Sequence, residues 1–225
     1  QSAQQADLAD VAPMQQVYVI LTPDQYAEAS YRQTFIDSIA PLRQALSMHP
    51  LQRLYFISST SVYGQDQGEW VDESSPTEPR GYNGSVLLQA EQLWRQTYPE
   101  QLVVIRPSGI YGTDRLRLVK WLQSGRPVKT QAWTNRIHSD DLAGFLAYLG
   151  DQSSVQPCYI ATDSQPVMQD DVLAGLATQL QLPMLMRQSS KVSGKRLSNQ
   201  LLLASGYRLR YPDWQAGYQA IASKI

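Results

Sequence analysis

Residues 55–65 read YFISSTSVYGQ, and the change from apolar to hydroxyl-bearing residues at Ser58 governs the reading of everything around it. The apolar part reaches back to Leu51, so LQRLYFIS (51–58) reads as a strand. It runs straight into Ser58, Ser59, Thr60 and Ser61, hydroxyls that can satisfy backbone groups where a strand ends or touch a ligand there. Upstream, QVYVILT (16–22) is a second apolar run rich in β-branched residues, and its two apolar faces mark a buried parallel strand. Between them, Tyr31, Phe35, Ile39, Leu42 and Leu46 recur at spacings of four and three, one helical face, with Pro41 inside the pattern as a kink or break.

The alternation continues downstream. Helices are expected at 87–98, 116–122, 140–149, 168–180, 195–204 (stopped by Gly206) and 213–222, and strands at LVVIR (102–106) and at 158–161. Strands alternating with helices predict an α/β fold built on a parallel sheet. We expect one domain over 1–225, of which about 112–225 forms a smaller C-terminal region.

Composition narrows the function. Net charge is −1, from 19 basic and 20 acidic residues, with no basic stripe, so no nucleic-acid partner is expected. No apolar run reaches the roughly 18 residues of a membrane span. A single cysteine, Cys158, excludes an internal disulfide and any Cys-based cluster, and two histidines without a ligand-like spacing predict no metal site. A reducing cytoplasm is the expected compartment. The first residues, QSAQQADLADVAPM (1–14), have neither the basic start nor the apolar centre of a signal peptide.

YFISSTSVYGQ, followed after about twenty residues by a tyrosine at a helix start and then by VVIRPSGIYG (103–112), resembles the extended short-chain dehydrogenase/reductase superfamily, which includes NAD-dependent epimerases and dehydratases. Further matching strings are ADLAD (6–10), VDESSPTEP (71–79), NRIHSDDLAG (135–144), and GKRLSN (194–199) with GYRLRYPDWQAGY (206–218). SSTSVYGQDQGEWVDE together with NRIH is similar to atypical bacterial members. The resemblance implies a Rossmann-like doubly wound parallel sheet and a bound NAD or NADP. It also implies a small-molecule substrate on the C-terminal side and a monomer or homodimer. The family's Gly-rich phosphate turn, G-x-x-G-x-x-G, does not occur in this sequence. By that alignment the sequence lacks two βα units, about 50–60 residues, and QVYVILT is expected to form a sheet edge. We therefore expect an incomplete chain.

In this family a Ser or Thr orients the substrate, and a Tyr transfers a proton with the help of a Lys one helical turn on, whose charge favours the tyrosinate. Carried over, the catalytic pair is Ser59 and Tyr82. The lysine position holds Val86, or Leu87 if the register shifts by one and puts Asn83 at the tyrosine position; neither register has a cation. Arg80 and Arg106 are the basic residues available to replace it, able to supply a field but not to relay a proton. The cofactor positions carried over are Asp7, Leu8, Leu21, Thr22, Ser58, Pro107, Ser108 and Ile110, and the substrate positions are Asn135, Arg136, His138 and Lys195. Structural readings stand beside these. Ser58 and Ser59 can satisfy a strand end, Tyr82 can pack at a helix start, and Ser139 or Asp140 can cap the helix after His138. Trp70 and Trp133 read as pocket walls or core, and Glu69, Asp72, Glu73 and Glu78 as a solvated acidic loop. Lys195, as the start of a helix, would oppose its dipole. Two functions follow: oxidoreductase chemistry, weak or altered, on a sugar-nucleotide or carbonyl substrate, or a catalytically degenerate nucleotide-binding sensor or interaction protein.

Overall fold

The computed structural model describes residue 8 and residues 11–125, 127–129, 131–183, 186–188 and 191–222. The elements in chain order are β1 (Gln16–Val19), α1 (Glu28–Arg32), a π-helical turn (Gln33–Asp37), α2 (Ile39–Leu46), β2 (Arg53–Ile57), a 3-10 turn (Thr60–Val62), β3 (Trp70–Val71) and α3 (Tyr82–Thr97). They continue with β4 (Leu102–Pro107), β5 (Gly109–Tyr111), α4 (Arg117–Gln123), β6 (Val128–Lys129), β7 (Trp133–Thr134), β8 (Arg136–His138) and α5 (Ser139–Gly150). The last are β9 (Cys158–Ala161), β10 (Val167–Met168), α6 (Gln169–Gln179), β11 (Arg187–Gln188), β12 (Arg196–Leu197), α7 (Gln200–Ala204) and α8 (Trp214–Ala222).

The chain forms two compact units. Unit one holds residues 1–64, 76–106 and 154–159; unit two holds 65–75, 107–153 and 160–225. The main sheet has the order β1-β2-β4-β9, and β1 with β2 and β2 with β4 pair in parallel. The architecture is α/β with a Rossmann-like parallel sheet. β1 stands at one end of that order, with Ile20 just beyond it 61% exposed. It ends at Val19, so Leu21 and Thr22 lie past the strand.

Unit one is organised by aromatic packing. Phe35 meets Phe56 edge-on, Phe56 meets Trp94, and Trp94 stacks on Tyr98, which ties the first helical segment and α3 to β2. Pro41 sits inside α2 without ending it; the π-helical turn lies just upstream, where the helical register adjusts. α3 begins at Tyr82 after an extended Gly81. A side chain at Gly84 would run into the carbonyl oxygen of Ser61, so only glycine lets the first turn of α3 lie against the 3-10 turn.

Unit two combines short strand pairs with helices. β5 pairs in parallel with β8, β3 with β12 and β6 with β11, and β7 pairs antiparallel with β10. Its apolar core joins Tyr111, Leu122, Val172, Leu176, Trp214 and Tyr218. The helix expected over 195–204 is absent as such: Arg196–Leu197 is a strand and only Gln200–Ala204 is helical. Asn135 explains the difference. Its side-chain amide donates to the Lys195 carbonyl and accepts from the Leu197 amide, each at 2.8 Å, drawing the segment out into extended backbone. Lys195 therefore stands at no helix start. Among the described residues no helix is long and apolar enough to cross a membrane.

Candidate functional site

Ser59 follows β2 and caps the 3-10 turn; its Oγ accepts from the Ser61 amide at 3.1 Å, which leaves its own proton to donate. Because that turn lies against α3 at Gly84, Ser59 and Tyr82 sit on neighbouring elements of unit one. Tyr82 is half-buried. Its ring packs edge-on to Tyr31 at 5.5 Å and Tyr26 at 6.1 Å. Removal from water raises the Tyr82 pKa above its ordinary value, and the nearby Tyr26 and Glu28 raise it further. Among the described residues no cation contributes. Val86, one turn on, is 2% exposed, and Leu87 beside it is also buried, so both candidate lysine positions face the core.

Arg106 cannot take the lysine's place. It is buried, with Nε and Nη2 donating to the Glu91 carboxylate at 3.1 and 2.6 Å and Nη1 donating to the Tyr63 hydroxyl at 2.7 Å. Ser58 Oγ donates to the same carboxylate at 2.5 Å. Burial alone would lower the Arg106 pKa, but the hydrogen bonds and charge of Glu91 reverse this and raise it. Ser58, expected at the cofactor, has its hydroxyl engaged in this network. Arg80 is exposed.

Among the other cofactor positions, Asp7 lies outside the described residues. Leu8 and Leu21 are half-buried and Thr22 is exposed. Pro107 closes β4 in the interior. Ser108 is buried and its hydroxyl donates to Thr162 Oγ1 at 2.9 Å. Ile110 belongs instead to a cleft of unit two.

That cleft, of about 360 Å³, gathers three of the four expected substrate residues: Asn135, Arg136 and Lys195. Asn135 uses its amide to hold the 195–197 segment, so it shapes the wall. Arg136 is 4% exposed; Nη2 donates to Thr134 Oγ1 at 2.6 Å, while Nη1 is buried with no hydrogen-bond partner. Burial lowers its pKa, opposed by Asp163, Tyr218 and Tyr111. His138 lies outside the lining. It is buried between Tyr111 and Tyr211, and its Nδ1 accepts the Asp140 amide at 3.1 Å. His138 itself, not Ser139 or Asp140, is therefore the cap of α5. An unprotonated imidazole nitrogen can accept a first-turn amide in place of the usual side-chain oxygen. Asp141 is a structural carboxylate, accepting from Tyr207 Oη and from the amides of Arg210 and Tyr211.

Of the tryptophans, Trp133 lines the cleft, while Trp70 is exposed; their rings enclose the Arg196 guanidinium at 5.1 Å on each side. Gly194, at φ +74°, is required where a side chain would strike the Trp133 backbone. The acidic loop divides by role. Asp72 accepts from Ser74 and Ser75, which holds its carboxyl below the usual range, and Glu73 accepts the Ile160 amide at 2.7 Å.

Sequence reasoning missed Arg115, Arg117, Tyr111 and Tyr218, all of which line the cleft. The string DRLR (114–117) was the available signal, two cations at the start of a helix. Asp163 gave none. It is 1% exposed, its Oδ2 has no partner, and burial pushes its pKa up to about 7 despite the pull of Arg136.

No family model matches the chain. It is 37% identical to a solved protein from Methylobacillus flagellatus assigned as an NAD-dependent epimerase/dehydratase; the match covers 87% of this chain and 72% of that one, with a TM-score of 0.76. Protein YeeZ of Escherichia coli K12 is 28% identical over 116 residues, 51% of this chain. That match spans 41% of YeeZ's own length. The human epimerase family protein SDR39U1, solved with NADPH, has a TM-score of 0.83 over 97% of this chain and 85% of that one; at 15% identity it bears on the fold alone.

Proposed function

Because the chain belongs to the short-chain dehydrogenase/reductase superfamily, in its NAD-dependent epimerase/dehydratase-like branch, we propose that it binds NAD(P) and a small molecule and carries a Ser59–Tyr82 pair poorly tuned for proton transfer at neutral pH. The observation that carries this reading is the setting of Tyr82: aromatic neighbours, an apolar Val86 where a lysine would stand, and a hydroxyl whose pKa is raised. A phenol that must act as a base needs help to ionise near pH 7, and none of the described residues gives it. Residues 112–225 as the substrate side belong to the same proposal.

The residues present fit one end of a dinucleotide. Ser59 offers a donor and Tyr82 a hydroxyl, and when bound the nicotinamide supplies hydride transfer. For the pyrophosphate, the first glycine in this sequence is Gly64, and none of the described residues before it forms a Gly-rich turn. Ser58 and Ser108 have their hydroxyls engaged with Glu91 and Thr162.

The same setting of Tyr82 favours a second reading, a sensor that binds nucleotide without turnover. Titration of the protein with NAD(H) and NADP(H), followed by assays on a sugar-nucleotide and carbonyl panel, separates the two. Turnover that climbs with pH well above neutral, and falls about tenfold or more in Tyr82→Phe, is expected of the enzyme. Binding without turnover identifies the sensor. A turnover rate unchanged in Tyr82→Phe removes Tyr82 from the chemistry, and no binding of any of the four dinucleotides overturns both readings.

A further inference from the structure

We propose that the cleft of unit two binds a small oxyanion, a carboxylate or phosphoryl group of the substrate, with Arg136 as the buried donor and Arg117 and Tyr218 completing the site. This deepens the reading of unit two as the substrate side and rests on it.

The lining is cationic beyond what composition explains. Arg115, Arg117, Arg136 and Lys195 line the cleft and, among the described residues, no aspartate or glutamate does, in a chain with 20 acidic residues and a net charge of −1. Charge alone would suit a solvated rim, since Arg115 and Arg117 are exposed. Arg136 is different. A guanidinium 4% exposed has lost its water, yet only Nη2 has gained a partner, and Nη1 has none. Among the described residues it makes no direct ion pair; the buried Asp163 carboxylate acts on it through space without reaching hydrogen-bond or ion-pair distance, which leaves Nη1 unfilled. Buried charges are ordinarily paired and hydrogen-bonded, and an oxyanion reaching the floor of the cleft supplies what is missing.

The neighbours suit the same ligand. Burial pushes the Tyr218 hydroxyl up to about 12 and raises that of Tyr111 as well, so both stay protonated donors. Ile110, Leu118 and Trp133 add apolar wall, and a cleft of about 360 Å³ holds a compact molecule rather than an ion alone. Guanidinium geometry favours the planar or tetrahedral oxygens of carboxylate and phosphate over halide.

The experiment is titration calorimetry of the full chain at low ionic strength. The probes are inorganic phosphate and, separately, malonate, with sodium chloride at matched ionic strength as the control. Dinucleotide affinity is measured on the same samples. The expected result is saturable binding of one or both oxyanions at one site, weakened about tenfold or more in Arg136→Gln and in Arg117→Gln. Arg117 is exposed, so that variant keeps the test open if Arg136→Gln fails to fold. Binding of phosphate alone identifies a phosphoryl group, and binding of malonate alone a carboxylate. No saturable binding, equal binding of chloride, or affinities untouched by the substitutions overturns the inference. Lost oxyanion binding beside intact dinucleotide binding sinks this inference alone. The opposite pattern sinks the proposed function and leaves the anion site standing.

Discussion

Arg106 in unit one and Arg136 in unit two are both buried arginines, 8% and 4% exposed. Arg106 donates to both oxygens of Glu91 and to Tyr63, and Ser58 joins the same carboxylate, so each nitrogen of the guanidinium has a partner. Arg136 has Thr134 and an empty-handed Nη1, with Asp163 Oδ2 and Tyr111 Oη likewise unpartnered in the same unit. The difference teaches how to read a buried charge. A saturated network is used up in holding β2, α3 and β4 together, and nothing is left over for a ligand. An unsaturated one has capacity that the fold itself does not use.

The comparison breaks first at Glu91. Glu91→Gln leaves the Arg106 guanidinium buried without its counter-charge, and we expect a loss of about 3–5 kcal/mol, roughly 10 °C in Tm, by thermal and urea denaturation. A cost under about 1 kcal/mol would mean that the network is not holding unit one. Arg136→Met should cost far less, under about 1.5 kcal/mol, because it removes a desolvated charge along with a single side-chain hydrogen bond. A loss equal to that of Glu91→Gln would place both arginines in the same class and end the distinction.

Asp163 sharpens it. Its carboxyl titrates near 3.8 when unfolded and at about 7 when folded, so between these values the folded state holds more proton. Its contribution to stability is present at low pH and is lost as pH rises from about 4 to about 7. Asp163→Asn should flatten the stability profile across that window by up to about 1.4 kcal/mol per pH unit, read from urea midpoints at each pH. An unchanged slope would show that Asp163 is not a strained carboxyl.

Sequence and structure agree where the physics is local and periodic. The apolar strands and the buried face of α3 were legible because burial imposes a period. Val86 was legible as a missing cation, and the structure adds that its side chain is in the core. Less was legible where one side chain decides for another segment. Asn135 draws 195–197 into a strand from sixty residues away, and no pattern within 195–204 announces it. The two-residue strands of unit two are too short to show a period. His138 as a cap escaped because imidazole is an uncommon choice there, and the rest of the cleft escaped because Tyr111, Arg115, Arg117 and Tyr218 join Arg136 only in three dimensions.

The most direct test of the distinction is thermal unfolding of three proteins with and without millimolar phosphate at matched ionic strength: the unsubstituted chain, Arg136→Met, and the paired Glu91→Leu/Arg106→Met. We predict that phosphate raises Tm in the unsubstituted chain and in the paired variant and leaves Arg136→Met unmoved. A phosphate shift that persists in Arg136→Met, or vanishes in the paired variant, would contradict the division between an arginine used by the fold and one reserved for a ligand.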